Sequence, residues 1–468
     1  MADTDEFPDD ARLGWPGVPP FLNGVWESLI LRPWLDSLTL PGIVHGYFPL
    51  SRAWAAAEEA AGSVERFCQD TGTPYPPGGI AEYALALVDA RREAYRKAER
   101  NWRRLFFTPS PAASAPKDTA LAKAEERRLG AAHALMASRG LFVPLHIQKP
   151  FPPVKWQVAG PEAVEARHGA RLLSPASAFP LPPWRPVRVS QVMTKEDSRI
   201  RFLTFDSRVG GRRDTAWARV MEPLAAEAAP TVIFLHGIGV ETEQWRVEGG
   251  RIDGLVRSGV RVIRPEGPWH GRRRPSGWFG GEMALSQGPM GLLDLFEAWV
   301  SEVAVLIGWA RATSTGPVAL SGFSLGALTA QVAAAAARHW PEELRPDALL
   351  LMATSGNFVD LSLEGSLGRA LDARTQLELQ DWTEQGLQRW APLLEPQGEP
   401  AVKRENIVMV IGTSDDVTPF CGGLALAERW GIGAENLFLR PHGHFSLSLG
   451  LEYDAEPISR LLAVLRSC

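Results

Sequence analysis

PVALSGFSLGALTAQVA, residues 317–333, joins a short apolar run to the pentapeptide Gly322-Phe323-Ser324-Leu325-Gly326 and then to an Ala-rich segment. The order of residue types reads as strand, sharp turn and helix. A serine at the apex of such a turn is forced into strained backbone geometry. Glycines two residues to either side are needed there, because a Cβ would collide with the neighbouring strand or with the helix that follows. The hydroxyl of Ser324 is then exposed at the mouth of a sheet, and the first amides of the new helix point at whatever sits on it, reinforced by the helix dipole. Ser324 is therefore the expected nucleophile.

A serine hydroxyl attacks poorly until a neighbouring base takes its proton, so the base must stand at another strand end on the same edge of the sheet. Residues 437–445, LFLRPHGHF, place two histidines just past an apolar run. His444, after the turn glycine, is the expected base; His442 is the alternative and otherwise a loop residue at the rim. An imidazole in this role needs a carboxylate behind it to fix its tautomer and stabilise its cation. The run Ile407 to Ile411 ends in Gly412-Thr413-Ser414-Asp415-Asp416-Val417-Thr418-Pro419. Asp415 or Asp416 can supply that carboxylate, with Asp360 a weaker candidate.

The runs between these points set the architecture. Val187 to Met193, Ile200 to Phe205 and Ala216 to Met221 read as opening antiparallel strands, with a turn at Gly210-Gly211. Thr231 to Leu235, Val260 to Ile263, Ala348 to Met352, Ile407 to Ile411 and Leu437 to Leu439 are short and apolar, as strands buried on both faces are. Helical segments at Gly249 to Ser258 and Leu292 to Ala312 intervene. Alternating strands and helices predict an α/β fold with a doubly wound, mostly parallel sheet whose ligands bind beyond the strands' carboxyl ends.

From about Val187 to the C terminus the sequence resembles the α/β-hydrolase superfamily, in its serine esterase and lipase-like members. Three motifs carry the resemblance: GFSLG at 322–326, GTSDDVTP at 412–419 and PHGH at 441–444. It implies the order nucleophile Ser324, acid Asp415, base His444. The acid is expected three residues after the turn glycine and four before the proline, which favours Asp415 and leaves Asp416 a cap or turn carboxylate. It also implies an oxyanion hole made by the amides of Leu325 and, in the His236-Gly237-Ile238-Gly239 turn, Ile238, with His236 a packing residue. That turn lacks the consecutive glycines of hormone-sensitive-lipase-type esterases. The loop PEGPWHGRRRPSGWFGGE, residues 265–282, is longer and more basic than usual, and its PWHGRR core is similar to that of a bacterial branch of the superfamily. Arg272, Arg273 and Arg274 are expected to lie in a solvated or internally paired loop, binding of an acidic substrate group being the alternative. Trp269, His270, Trp278, Phe279 and Phe323 are candidates for a substrate pocket.

The remainder divides into two parts. Residues 1–185 are expected to form a mainly helical N-terminal region, and residues 186–468 the catalytic domain, with a helical cap insertion at about 357–405 in which Leu377 to Trp390 reads as a helix. In the N-terminal part, Tyr83, Leu87, Ala90, Ala94, Ala98, Trp102 and Leu105 recur at helical spacing, facing away from a run of arginines read as solvated. Thr108 to Pro116 reads as a linker, Lys117 to Ser138 as a second helix, and the proline-dense Pro144 to Pro186 as a semi-rigid connector.

A 468-residue chain exceeds one compact core, and 45% hydrophobic with 22% charged residues is ordinary for a globular protein. A net charge of -5 gives no general attraction to nucleic acid or anionic lipid. The acidic MADTDEFPDD lacks a following apolar segment and no run has the length of a membrane span, so neither a secretory signal nor a spanning helix is expected. Three scattered cysteines, Cys68, Cys421 and Cys468, make neither a disulfide framework nor a zinc site and point to the cytoplasm. The expected function is serine hydrolysis of a small-molecule carboxylic ester or thioester, with no metal and no organic cofactor. A peptidase or acyltransferase on the same three residues is the alternative, as is a hydrolase-like scaffold that only binds.

Overall fold

The computed structural model describes residues 33–74, 79–108, 117–181, 186–195, 197–241 and 249–468. Its centre is one ten-stranded sheet: β1 (Arg188–Val189), β2 (Met193–Thr194), β3 (Ser198–Val209), β4 (Arg212–Pro223), β5 (Thr231–Leu235), β6 (Arg261–Pro265), β7 (Val318–Phe323), β8 (Ala348–Met352), β9 (Ile407–Gly412) and β10 (Leu437–Arg440). The strand order is β1-β3-β4-β6-β5-β7-β8-β9-β10, with β2 paired to β3. β3 and β4 form a long antiparallel hairpin closed by Gly210 and Gly211 at φ 58° and 72°, which only glycine adopts freely. From β6 to β10 every pairing is parallel. The first part of the expected opening strand is two short pieces, β1 and β2, while β3 and β4 run several charged residues beyond their apolar centres.

The apolar runs sort by alternation. Ile233, Leu235, Leu320, Leu349, Leu351, Met409 and Ile411 face one core, shared with the helices Pro289–Thr313 and Leu325–Ala336. Val232, Phe234, Ala319, Leu350, Met352, Val408 and Val410 face the other, shared with the helices Gly249–Arg257 and Glu456–Ser467. Successive strand side chains point to opposite faces, so a continuous run serves two cores at once. After β5 the chain leaves to one side for β6, then returns to the other side for β7. At that reversal the carboxyl ends of β5 and β7 diverge into a crevice, and Leu235 pairs in register with Gly322 at its lip.

The N-terminal helices pack on this frame. Phe48–Ala60, Val64–Thr71 and Ile80–Phe107 build a third core that includes Phe279 from the loop after β6 and Leu371 from the insertion. Trp102, Phe106, Leu121 and Ala124 belong to a sheet core. The face of Ile80–Phe107 differs from the sequence expectation: Ala81, Ala84, Leu85, Val88, Trp102 and Phe106 are buried, and Tyr83 is exposed. An alanine-rich helix offers too little contrast in side-chain size to mark its buried stripe. Residues 109–116 of the expected linker lie outside the described residues. In the insertion, Leu377 to Trp390 is not one helix but parts of Ala373–Glu378 and Glu384–Gln388, interrupted at Asp381, where φ is 61°.

The three loop arginines are internally paired. Arg272 meets Glu266 and Glu99; Arg274 meets Glu58 and Glu241. Arg273 is fully buried and donates to both carboxylate oxygens of Glu302 at 2.8 and 2.6 Å, to Asp214 at 2.8 Å and to the Glu266 carbonyl at 2.7 Å. Burial works against its charge, but Glu302 and Asp214 override it and hold the pKa raised. Removing one partner of such a pair leaves a buried charge uncompensated. Arg273→Ala is expected to lower the unfolding free energy by about 3–5 kcal/mol in urea titrations; a change confined to substrate KM would instead identify Arg273 as a substrate contact.

Candidate active site

Ser324 occupies the position between β7 and the helix Leu325–Ala336 with φ 54° and ψ -122°, a conformation L-residues avoid. The two flanking glycines are sterically required. A Cβ on Gly322 would lie 2.3 Å from the carbonyl carbon of Gly326, and one on Gly326 would lie 2.1 Å from the carbonyl oxygen of Leu235. The turn is pinned further by the Ser324 amide donating to the Met352 carbonyl of β8 at 3.0 Å. Ser324 Oγ then stands 3.0 Å from His444 Nε2.

His444 opens the helix His444–Gly450 beyond β10 and is buried between the rings of Phe323 and Phe445, at 5.2 and 5.3 Å. Its Nδ1 lies 2.9 Å from Asp415 Oδ2. The Asp415 carboxylate is itself saturated: Oδ1 accepts from the amides of Val417 and Thr418 at 3.0 and 2.8 Å, and Oδ2 accepts from the Thr418 hydroxyl at 2.8 Å. A carboxylate bound on every side stays where it is and fixes the imidazole tautomer with Nδ1 protonated. Asp416 points away, exposed, and accepts from the Ser366 hydroxyl at 2.9 Å. His442 packs against Gly450, and Asp360 pairs with Asn357 at the start of the insertion; neither meets Ser324.

The His236-Gly237 turn lies against the elbow. A Cβ on Gly237 would come within 3.7 Å of both Ser324 Cβ and the Phe323 carbonyl oxygen. His236 holds that turn: Nδ1 donates to the Gly237 carbonyl at 2.7 Å, and Nε2 accepts from the Gly267 amide at 2.9 Å. Burial lowers its pKa to about 4, so it is neutral.

A cavity of about 140 Å³ opens beside Ser324, walled by Ile238 and Leu325 and by Leu377, Leu387 and Trp390 of the insertion among others. The aromatic residues expected there are elsewhere. Trp269 packs in the main core. His270 is buried against His236 with ring centroids 4.8 Å apart. Trp278 takes Arg52 and Lys155 over its ring, Phe279 joins the N-terminal core, and Phe323 packs at a tilt against His444. The loop 265–282 folds inward onto its ion pairs and the N-terminal helices, which turns these rings away from Ser324. The cavity wall comes from the insertion and from Trp156, Leu285 and Leu292; helical spacing of leucines in the insertion was the available signal.

Sequence reasoning also missed Asp36. The carboxylate of this residue, on the helix Pro33–Gly42, accepts from the Phe445 amide at 2.6 Å and the Ser446 amide at 3.3 Å. It thus supplies the acceptor that the first turn of the His444 helix lacks within itself. Nothing local in the sequence links positions so far apart.

Among the described residues, one other cluster has metal-ligand groups: His168, Asp294 and Glu297. Arg167 already binds Asp294 at 2.7 Å and Arg171 binds Glu297 at 3.4 Å, so guanidinium groups stand where a cation would.

Residues 232–456, just under half of the chain, match the model of the alpha/beta hydrolase family, and the sheet and its strand-turn-helix at Ser324 have the α/β-hydrolase fold. No curated protein matches it. Among solved structures it is similar to the acetyl xylan esterase from Paenibacillus sp. R4, at 13% identity and TM-score 0.45 over 67% of this chain and 96% of that one. Acetyl xylan esterase 1 from Thermoanaerobacterium sp. JW/SL YS485 matches at 16% identity and TM-score 0.42, over 64% and 96%. A brefeldin A esterase, described as a bacterial homologue of human hormone sensitive lipase, matches at 16% identity and TM-score 0.39, over 67% and 87%. No described helix is long and apolar enough to cross a membrane.

Two outcomes follow from this geometry. Asp36→Ala, which leaves two helix-end amides without an acceptor, is expected to lower stability by about 1–2 kcal/mol in urea titrations, and Asp36→Asn by less. His270, like His236, is kept neutral by burial, which lowers its pKa to about 3. An unfolded histidine titrates near 6.5, so below that pH the unfolded chain binds protons these two sites refuse. Their contribution to stability is complete above about pH 6.5 and falls as the pH drops towards 4 for His236 and 3 for His270. In melts across that window His270→Asn should show a shallower acid dependence than wild type.

Proposed function

We propose that the protein is a serine hydrolase of carboxylic esters or thioesters, working through an acyl-enzyme on Ser324, His444 and Asp415. One observation carries the reading: the hydrogen-bonded chain from Ser324 Oγ through His444 to Asp415, at 3.0 and 2.9 Å. In this mechanism Ser324 Oγ attacks the acyl carbon while His444 Nε2 takes its proton. Asp415 stabilises the imidazolium. The oxyanion is held by the amides of Leu325 and Ile238, each contributing about 3 kcal/mol to the transition state. Collapse breaks the bond to the leaving oxygen or sulfur, which takes the proton from His444. Water then gives a proton to His444 and attacks the acyl carbon, and the second collapse returns that proton to Ser324 and frees the acid.

We assign this chemistry to residues 186–468, with the described helices of the N-terminal region bracing the His444 helix through Asp36 and the loop after β6 through Glu58 and Glu99. The cysteines described are all free, which accords with the cytoplasm as its compartment.

Labelling by a fluorophosphonate probe and turnover of nitrophenyl esters test the reading. Ser324→Ala is expected to abolish labelling and lower kcat by roughly four orders of magnitude or more. Asp415→Asn should lower kcat by about 10³–10⁴, and Asp416→Asn by less than about tenfold, its partner being Ser366. Wild type that neither labels nor turns over would refute the enzyme and leave a binding scaffold; a larger loss for Asp416→Asn would reassign the acid.

A further inference from the structure

The cavity beside Ser324 has almost no polar wall. Only three of its lining side chains, Ser324, Ser362 and Thr418, carry a hydroxyl, and none is charged. The Ser362 hydroxyl donates to the Phe358 carbonyl at 2.8 Å, and the Thr418 hydroxyl to Asp415 at 2.8 Å. Beyond the reacting serine, the polar side-chain groups left on this wall are the indole N–H groups of Trp156 and Trp390. An ammonium entering it would lose its water and gain no partner, and a sugar or a second carboxylate would find two neutral donors at most. The cavity therefore selects for hydrocarbon.

Its placement decides which half of an ester it takes. The leaving group must come within reach of His444 Nε2, which protonates it, and His444 is not among the residues that wall the cavity. The residues that flank the acyl carbon, Ile238 and Leu325, are. A chain attached to that carbon and lying in the cavity meets Leu377, Leu387 and Trp390 of the insertion.

We propose that this enzyme acts on esters or thioesters of aliphatic acids longer than acetate, with the acyl chain, not the alcohol, held under the insertion. This inference rests on the serine-hydrolase reading above and adds the substrate class. Each methylene taken from water into such a site is expected to raise kcat/KM about threefold to fourfold until the cavity is full.

The test measures kcat/KM for nitrophenyl acetate, butyrate, hexanoate and octanoate, and for acetate esters of ethanol and octanol, with fluorophosphonate labelling of Ser324 as a separate readout. Wild type should rise at least tenfold from acetate to its best acyl chain and change little between the two alcohols. Leu367→Trp and Leu371→Trp, which add bulk to the wall, should lower the ratio of octanoate to acetate at least tenfold while both proteins still label. A labelled wild type with a flat acyl series, a preference for octanol instead, or labelled tryptophan variants with unchanged ratios would each overturn the acyl assignment and leave the hydrolase standing. Failure of wild type to label or turn over would remove both.

Discussion

Everything at the candidate site depends on how closely the helix Leu325–Ala336 approaches the end of β5. The distance that a Cβ on Gly326 would have to the Leu235 carbonyl oxygen, 2.1 Å, is far inside any real contact. Only a residue without a side chain lets the helix start there. That approach brings the His236-Gly237 turn against Ser324 and sets two loop backbones side by side at the sheet's reversal point. The strained φ of 54° at Ser324 is the local consequence, and the bond from its amide to Met352 of β8 holds the strain in place.

A second constraint keeps the loop after β6 out of the cleft. Three consecutive arginines would be unstable inside a protein unless each found carboxylates, and each does: Glu99 and Glu266, Glu302 and Asp214, Glu58 and Glu241. Two of those carboxylates, Glu58 and Glu99, come from the N-terminal helices. The loop is thus drawn towards those helices, taking Trp269, His270 and Trp278 with it. What remains beside Ser324 is a space that the insertion fills with leucines.

Strand positions were legible because continuous apolar runs such as Thr231–Leu235, Ala348–Met352 and Ile407–Ile411 cannot be placed except in a sheet buried on both faces, whereas the last run lies at the sheet edge with Leu439 exposed. The turn at Ser324 was legible because its glycines are a steric necessity. His444 was legible from its place past the last strand and Asp415 from the family resemblance, and the two side chains meet at 2.9 Å. The missed features share a cause. Whether Trp278 or Leu377 lines a cavity depends on the direction a loop takes, and that direction is set by ion pairs of which two, Arg272 with Glu99 and Arg274 with Glu58, join residues more than a hundred positions apart. The buried stripe of Ile80–Phe107 was blurred because alanine is small enough for either side. Asp36 is invisible for a plainer reason: its two acceptor contacts lie 409 and 410 positions along the chain.

These long-range contacts also make the site one assembly. The acid loop is roofed by the insertion, since Ser366 donates to Asp416 through both its amide, at 2.7 Å, and its hydroxyl, at 2.9 Å. Val417 and Thr418 of that same loop wall the cavity, and Thr418 donates to the Asp415 oxygen that faces His444. The helix carrying His444 is held in turn by Asp36. A shift of the insertion would therefore move Asp415, and a shift of the N-terminal helix would move His444, before either touched Ser324. Such coupling explains why a bound carboxylate at each junction is useful: charged acceptors on backbone amides form short, directional bonds, so the insertion and the N-terminal helix meet the sheet in one register, and the two hydrogen bonds of His444 inherit their geometry from it.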